Sequence, residues 1–123
     1  EFLFEAAQSL SKTGQYEKAN EYLERAVLLS SDPMLYYVMA KNEQCLGEYR
    51  QAEKHLLHAI DILPERIYPY YLLMNLYTEP SYFQPAKLKM AIDSVLTKKP
   101  KVESSAIKEM KEKARSMLNN TSI

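Results

Sequence analysis

Gly14-Gln15-Tyr16-Glu17-Lys18-Ala19 is a short stretch that returns 33 positions later as Gly47-Glu48-Tyr49-Arg50-Gln51-Ala52. Such a period, about 33 residues, is typical of stacked helical hairpins. The same spacing of apolar and small residues follows both copies: Leu23, Ala26 and Leu29 after the first, and Leu56, Ala59 and Ile62 after the second. A third, weaker copy follows at a shift of 34, with Phe83, Ala86, Met90 and Leu96 in the places of Tyr49, Ala52, Leu56 and Ile62.

The residue types in this stretch suit the turn and the packing of a helical hairpin. Glycine adopts a positive φ without a Cβ clash, so Gly14 and Gly47 are predicted to end one helix and begin the turn to the next. Small residues let two helices pack closely against bulky neighbours. We therefore expect burial of the four alanines at the repeated positions, which are Ala19, Ala26, Ala52 and Ala59.

The repeated pattern resembles the tetratricopeptide repeat (TPR), a helical hairpin of about 34 residues. The glycine, the aromatic residue two positions later and the two alanines seven apart carry this resemblance. It implies an all-α fold, a right-handed superhelix of three TPR hairpins plus a C-terminal capping helix. Two features depart from the family pattern: the chain has no tryptophan, and Asp93 stands where the third copy should have its second small residue.

The predicted organisation is a single TPR domain over residues 1–123. Its repeats span about 1–31, 32–65 and 66–99, and its capping helix about 103–119. Within them, the second helix is expected to reach about residue 30, with Asp32 as the cap of the third and Pro33 in its first turn. The sixth helix is expected to begin near Ser81. Because the chain starts with Glu1 inside an expected helix, we interpret it as a piece of a longer polypeptide.

The composition supports a helical domain and argues against a membrane-spanning segment. The chain is 46% hydrophobic with only two glycines. It has no apolar run near the length of a membrane span, which is about 18 residues or more. Its net charge of zero combines an excess of acidic residues over positions 1–86 with an excess of basic residues over 87–123. The basic end is expected to be a solvated helix, with contact to an anionic partner or to membrane headgroups as the alternative. The localisation stays open, and the single cysteine only weakly favours a reducing compartment.

No catalytic or metal-binding constellation is evident, so we expect no enzyme activity, no cofactor and no metal. His55 and His58 are three residues apart on one helix, but no third ligand accompanies them. They are interpreted as exposed histidines. Cys45 has no histidine or lysine placed beside it by the sequence, and it is interpreted as a small, partly buried side chain.

A binding function is better supported by the sequence than a catalytic one. In the TPR family the first helices of successive repeats line a concave groove, and the resemblance places aromatic and polar residues there. Such residues can hold an extended or helical peptide. Another domain of the parent chain is an equally good occupant. The chaperone-tail receptors of the family need lysine and asparagine where this chain has Phe4 and Gln8, so that partner is not expected. The predicted groove residues are Phe4, Gln8, Lys12, Tyr37, Lys41, Gln44, Tyr71, Asn75 and Thr78, with Ser11 and Cys45 beside them.

The two ends of the chain raise two further kinds of partner. Nucleic acid is not expected at the C-terminal end, because glutamates interrupt its basic residues and no aromatic residues alternate with them. Self-association through the N-terminal helix is an open alternative, since Phe2 and Phe4 are apolar. The basic residues of the C-terminal end, at which nucleic acid is not expected, are Lys98, Lys99, Lys101, Lys108, Lys111, Lys113 and Arg115.

A fainter resemblance covers about the last half of the chain. The segments at 64–73 and 98–110 are similar to the TPR tail at the C-terminus of some bacterial O-antigen ligase or polymerase type membrane proteins. This resemblance implies the soluble tail of a glycan-handling membrane protein whose active site lies elsewhere, with the last helix near lipid headgroups. A peptide-binding adaptor or co-chaperone-like scaffold unrelated to glycans is the alternative.

Overall fold

The structure is a computed structural model that describes residues 2–121, so Glu1, Ser122 and Ile123 lie outside the described part. Over the described residues it contains seven α-helices and one short 3₁₀-helix, with no strand. The all-helical fold predicted from the sequence is therefore confirmed. The α-helices are α1 (Phe2–Lys12), α2 (Tyr16–Ala26), α3 (Pro33–Cys45), α4 (Tyr49–Ile62), α5 (Tyr68–Tyr77), α6 (Pro85–Thr97) and α7 (Ser105–Asn120), and the 3₁₀-helix covers Pro80–Tyr82.

The chain divides into two compact units between Leu63 and Pro64. In the first unit α1 packs against α2 and α3 against α4, and α2 also contacts α3. In the second unit α5 packs against α6, which in turn contacts α7. No helix within residues 2–121 has both the length and the apolar character needed to cross a bilayer.

Both glycines have the conformation that the sequence predicts. Gly14 has φ +82° and Gly47 has φ +78°, and they are the residues of positive φ in the described chain. In each case the residue after the glycine donates its backbone N–H to a carbonyl of the preceding helix, from Gln15 to Leu10 and from Glu48 to Glu43, at 2.8 Å each. These bonds use helix-end carbonyls that have no partner within the helix. The turn is therefore the same in both hairpins.

The four repeated alanines are buried, as expected. Each is at most 3% exposed, and the leucines between them, Leu23 and Leu56, are 0% and 2% exposed. The buried face of α2 is thus repeated in α4 at identical spacing. Small side chains at these positions allow close approach of the neighbouring helices, which is the packing reason for the repeat.

The connection between the first two hairpins is longer than expected, because α2 ends at Ala26 rather than near residue 30. Leu28 and Leu29 donate to the carbonyls three residues before them, at 3.3 and 3.0 Å, so the chain leaves the helix through tighter turns. The predicted start of α3 is confirmed: the Asp32 side chain accepts a 3.0 Å hydrogen bond from the Met34 backbone N–H, and Pro33 lies in the first turn.

In the third hairpin the predicted register is wrong. Pro85 begins α6, and Gln84 before it is not helical (φ −129°, ψ 85°), because proline disfavours helix in the residue that precedes it. The buried residues of α6 include Leu88, Ile92 and Val95, each 0% exposed. They reproduce the spacing of Ala52, Leu56 and Ala59 at a shift of 36, two more than the sequence alignment indicated. The positions expected to face the core, Ala86, Met90 and Asp93, are exposed.

The last helix, α7, is capped by Ser104, whose hydroxyl accepts a 3.2 Å hydrogen bond from the Ile107 backbone N–H. Only Ala114 among its described residues is buried, so α7 attaches to the second unit by a narrow face. The ammonium of Lys111 adds polar contacts, since it donates to the carbonyls of Val95, Leu96 and Lys98 at 2.9, 3.2 and 2.9 Å.

Candidate functional site

Helices α1 and α3 lie side by side in the first unit and run in the same direction. At one level Phe4 and Leu35 line a common cavity. Seven residues further along each helix, the Ser11 hydroxyl donates a 2.8 Å hydrogen bond to the side-chain oxygen of Asn42. The same step on both helices means that they are parallel over about two turns, or about 10.5 Å. We name the accessible side of this pair the α1–α3 surface, formed by Phe4, Gln8, Ser11, Lys12 and Lys41.

A buried polar network fixes this pair of helices. Asn42, 2% exposed, donates from its side-chain nitrogen to the Asn20 side-chain oxygen at 2.8 Å. Asn20 in turn donates to the Met39 carbonyl oxygen at 3.2 Å. Together with Ser11, these residues connect α1, α2 and α3. Buried amides are costly unless they are hydrogen bonded, so the network holds α1 in one position relative to α3.

At the N-terminal end of the α1–α3 surface is a cavity of about 200 Å³, lined by Phe4, Ser30, Asp32 and Leu35. Its two polar residues already bond the backbone of the connecting turn: the Ser30 hydroxyl accepts from the Asp32 N–H, and Asp32 caps α3. The other two lining residues, Phe4 and Leu35, are apolar, so the lining is mixed. Exposed apolar side chains occur in the same segments: Phe2, Leu28, Leu29 and Met34 are 78%, 82%, 80% and 42% exposed.

At the other end, two lysines flank the hydrogen bond between Ser11 and Asn42. Lys12 follows Ser11 on α1, Lys41 precedes Asn42 on α3, and both side chains are exposed. The carboxylate of Glu43, the acidic residue of α3, is 5% exposed and lies 2.8 Å from the Nδ1 atom of His55 in α4. This end of the α1–α3 surface therefore exposes two lysine side chains.

The other predicted groove residues of the first unit lie in different environments. Tyr37 is 6% exposed and belongs to the core, so its ring is not an accessible anchor. Gln44 is half-buried, whereas Cys45 is exposed rather than partly buried as expected. The Cys45 side chain shares a hydrogen bond with the Tyr16 hydroxyl, and this bond raises the pKa of Tyr16 above its ordinary value.

The two histidines are not alike. His55 is half-buried and bound to Glu43, which corrects the expectation that both histidines are exposed. His58 is exposed, and its ring meets that of Tyr36 edge to face at 4.7 Å between centroids. Within residues 2–121 no three side chains of the metal-binding types come together.

In the second unit the three predicted groove residues are all half-buried, and they lie on α5 and at its C-terminus. The Tyr71 ring lies beside Tyr68 at 6.4 Å between centroids and under the Lys113 ammonium of α7 at 5.6 Å. The Thr78 hydroxyl donates to the Asn75 carbonyl at 2.7 Å and so serves the end of α5. The Asn75 side-chain oxygen is buried and accepts no hydrogen bond from the described residues.

Several of the C-terminal basic residues are engaged inside the second unit. Lys113 lies over Tyr71, and Lys98 lies over the ring of Tyr70 at 5.0 Å. Lys111 binds the carbonyls of Val95 and Leu96 in the last turn of α6 and that of Lys98 just after it. Such cation–π and carbonyl contacts use the charges that phosphates would otherwise meet. These three residues therefore have contacts within the second unit.

Sequence reasoning missed the parts of this site that depend on contacts between distant residues. Asn20 and Asn42 carry one available signal, since each is a polar residue within the buried face of a helix. Tyr36 contacts both histidine rings, but no sequence signal distinguishes it from an ordinary core aromatic residue. The cavity beside Leu35 depends on the irregular end of α2, which the repeat pattern did not predict.

Comparison with known proteins identifies the kind of fold that holds this surface. Residues 1–33 match the family model of the tetratricopeptide repeat. The translocator chaperone SycD of type III secretion in Yersinia enterocolitica has a similar structure: the TM-score is 0.85 at 16% identity, over 98% of this chain and 88% of SycD. No curated protein sequence matches the chain.

Two structures of complexes are also similar. SycD of Y. enterocolitica bound to a peptide of the translocator YopD has a TM-score of 0.84 at 16% identity, over 97% of this chain and 88% of that one. PcrH in complex with the chaperone binding region of PopD has a TM-score of 0.80 at 14% identity, over 97% and 87% of the two chains. At this level of identity the similarity shows the fold.

The TPR resemblance predicted from the sequence is thus confirmed, and the chain has a TPR-like fold. The resemblance to the tail of O-antigen ligases is not tested by these comparisons and stays a prediction.

Proposed function

We propose that this chain is a non-catalytic interaction module that binds a peptide segment of a partner protein on the α1–α3 surface. The observation that carries this proposal is the joining of α1 and α3 by the bond between Ser11 and Asn42, at 2.8 Å, which leaves accessible polar and apolar side chains on one rigid strip. A strip whose helices are already packed can bind a flexible segment without the cost of ordering its own backbone.

The similar folds support this proposal. SycD and PcrH are each described with a bound segment of another protein, a YopD peptide and the chaperone binding region of PopD. A peptide is therefore the natural occupant of a surface on the same fold. The second unit contributes a separate candidate patch at Tyr71 and Asn75, where Lys113 already covers the tyrosine ring.

The proposal is tested by selecting binders from a random displayed peptide library on the whole chain. Gln8→Arg places a long charged side chain in the middle of the α1–α3 surface and should reduce the affinity of the selected peptides at least tenfold. Gln51→Arg is the matched control, because Gln51 is an exposed glutamine in α4. Equal binding by both variants, with unchanged helicity, would remove the α1–α3 surface as the site.

A further inference from the structure

The polar network behind the α1–α3 surface has a fixed direction, and this direction decides what Ser11 can offer to a partner. The network ends on the Met39 carbonyl oxygen, which can only accept hydrogen bonds. Resting on the proposed function, we propose that Ser11 recognises the bound peptide as an acceptor: its hydroxyl oxygen takes a hydrogen bond from one backbone N–H of the peptide.

The direction of each bond follows from the one before it. Because the Met39 carbonyl only accepts, Asn20 turns its side-chain nitrogen to it, at 3.2 Å, and its side-chain oxygen to Asn42. Asn42 therefore donates to that oxygen from its own side-chain nitrogen, at 2.8 Å, and turns its side-chain oxygen to Ser11. An amide oxygen also only accepts, so the Ser11 hydroxyl must donate to it, at 2.8 Å.

This direction is unfavourable to reverse. Asn42 is 2% exposed and Asn20 is 9% exposed. Turning over either amide alone would bring two acceptor oxygens together away from water, which costs free energy because neither oxygen then has a donor. The proton of the Ser11 hydroxyl is therefore held by the interior of the protein. Since a hydroxyl has one proton and two lone pairs, Ser11 can form any further hydrogen bond only as an acceptor.

The surroundings of Ser11 favour a neutral donor from a peptide backbone. Ser11 is half-buried on α1, and its neighbours Gln8 and Lys12 are exposed. The positive charge of Lys12 disfavours a cationic donor beside it, whereas every peptide residue except proline carries a neutral backbone N–H. Gln8 lies three residues before Ser11 on the same side of the helix, and its amide can bond a neighbouring carbonyl of the same peptide.

The experiment uses a synthetic peptide taken from the displayed-library selection and measures its affinity for the whole chain. Each backbone amide of the peptide is replaced in turn by an ester, which removes one N–H. We expect one position at which the ester weakens binding about three- to tenfold. At that position the ester should cause no loss with Ser11→Ala, because the acceptor is then absent, and the selected peptides should contain no proline there.

Two control variants separate the acceptor from its surroundings. Ser11→Thr keeps a hydroxyl and should keep the effect of the ester. Ser9→Ala, at an exposed serine of the same helix, should leave that effect unchanged. The ratio of ester to amide affinity is taken within each variant, so any general weakening caused by the lost bond to Asn42 cancels. A purely structural role for Ser11 would lower the affinity of both peptides equally and leave the ratio as it is in the unmodified chain.

The outcomes separate this inference from the proposed function. If no ester position is coupled to Ser11 although Gln8→Arg still weakens binding, the acceptor role of Ser11 is wrong and peptide binding on the α1–α3 surface stands. Coupling of Ser11 to a side-chain carboxylate of the peptide would mean that its hydroxyl donates outward, and it would overturn the inference in the same way. Failure to select any binder, or binders indifferent to Gln8→Arg, overturns both.

Discussion

The side-chain ammonium of Lys111 in α7 donates a 2.9 Å hydrogen bond to the carbonyl oxygen of Val95 in α6, and it reaches Leu96 and Lys98 as well. These carbonyls belong to the last turn of a helix and to the residue after it, where intrahelical partners end. Lys111→Met keeps an unbranched stem but removes the charge. We expect it to lower the free energy of unfolding by about 1 to 2 kcal/mol, measured by urea denaturation.

The control for this prediction is Lys108→Met, at an exposed lysine of the same helix, which should change stability by less than about 0.5 kcal/mol. If the two variants were equally stable, the carbonyl contacts of Lys111 would contribute nothing measurable to the attachment of α7.

The register of α6 gives a second prediction. Ile92 is 0% exposed and Met90 is 69% exposed, although the repeat alignment assigned the core position to Met90. Ile92→Ala should cost about 2 to 5 kcal/mol through lost burial and a residual cavity, whereas Met90→Ala should cost less than about 0.5 kcal/mol. Thermal and urea unfolding of the two variants compare the shift of 36 with the shift of 34 directly. A larger loss in the free energy of unfolding for Met90→Ala than for Ile92→Ala would support the shift of 34.

The polar network behind the α1–α3 surface gives a third prediction. Asn42→Leu removes the donor to Asn20 and the acceptor of Ser11, which leaves the buried Asn20 oxygen unsatisfied. We expect a loss of about 2 kcal/mol in the free energy of unfolding, measured by urea denaturation.

A double-mutant cycle with Ser11→Ala isolates the contact between α1 and α3. The expected coupling is at least about 0.5 kcal/mol. Strict additivity of the two substitutions would mean that Ser11 and Asn42 act independently, and that something else holds the two helices in place.

The hairpin corner at Gly47 gives a fourth prediction. A Cβ at this position would meet no atom within 4 Å, so a substitution there is opposed by the positive φ alone. Gly47→Ala should cost about 1 to 2 kcal/mol, and Gly47→Asn less, because asparagine tolerates the left-handed region better than alanine. Denaturant midpoints measure both, and a loss for asparagine as large as that for alanine would contradict this explanation.

The sequence was sufficient for those parts of the structure that follow from short-range chemistry. The positive φ of both glycines, the cap at Asp32 and the burial of Ala19 and Ala52 each depend on one residue type at one repeated position. The same is true of the all-helical fold, because the repeat period alone already indicates hairpins.

The remaining parts depend on where the chain is irregular or on contacts across long separations. Two prolines around a 3₁₀ turn delay α6 and displace its buried face by two positions, which an alignment without a gap does not show. The bond from Ser11 to Asn42 spans 31 positions and links side chains that are ordinary surface types in isolation. For the candidate site, Phe4, Gln8 and Lys12 were predicted from family position, whereas the cavity and the polar network required coordinates.

The displaced face of α6 affects any attempt at consensus engineering of this protein. The period of 34 assigns the small-residue positions to Ala86 and to Asp93, but an Asp93→Ala substitution would place an alanine on the surface beside one that is already there, because both positions are exposed. Small residues meant to tighten the third hairpin must instead be evaluated at Leu88 and Val95, where the interior already holds larger side chains.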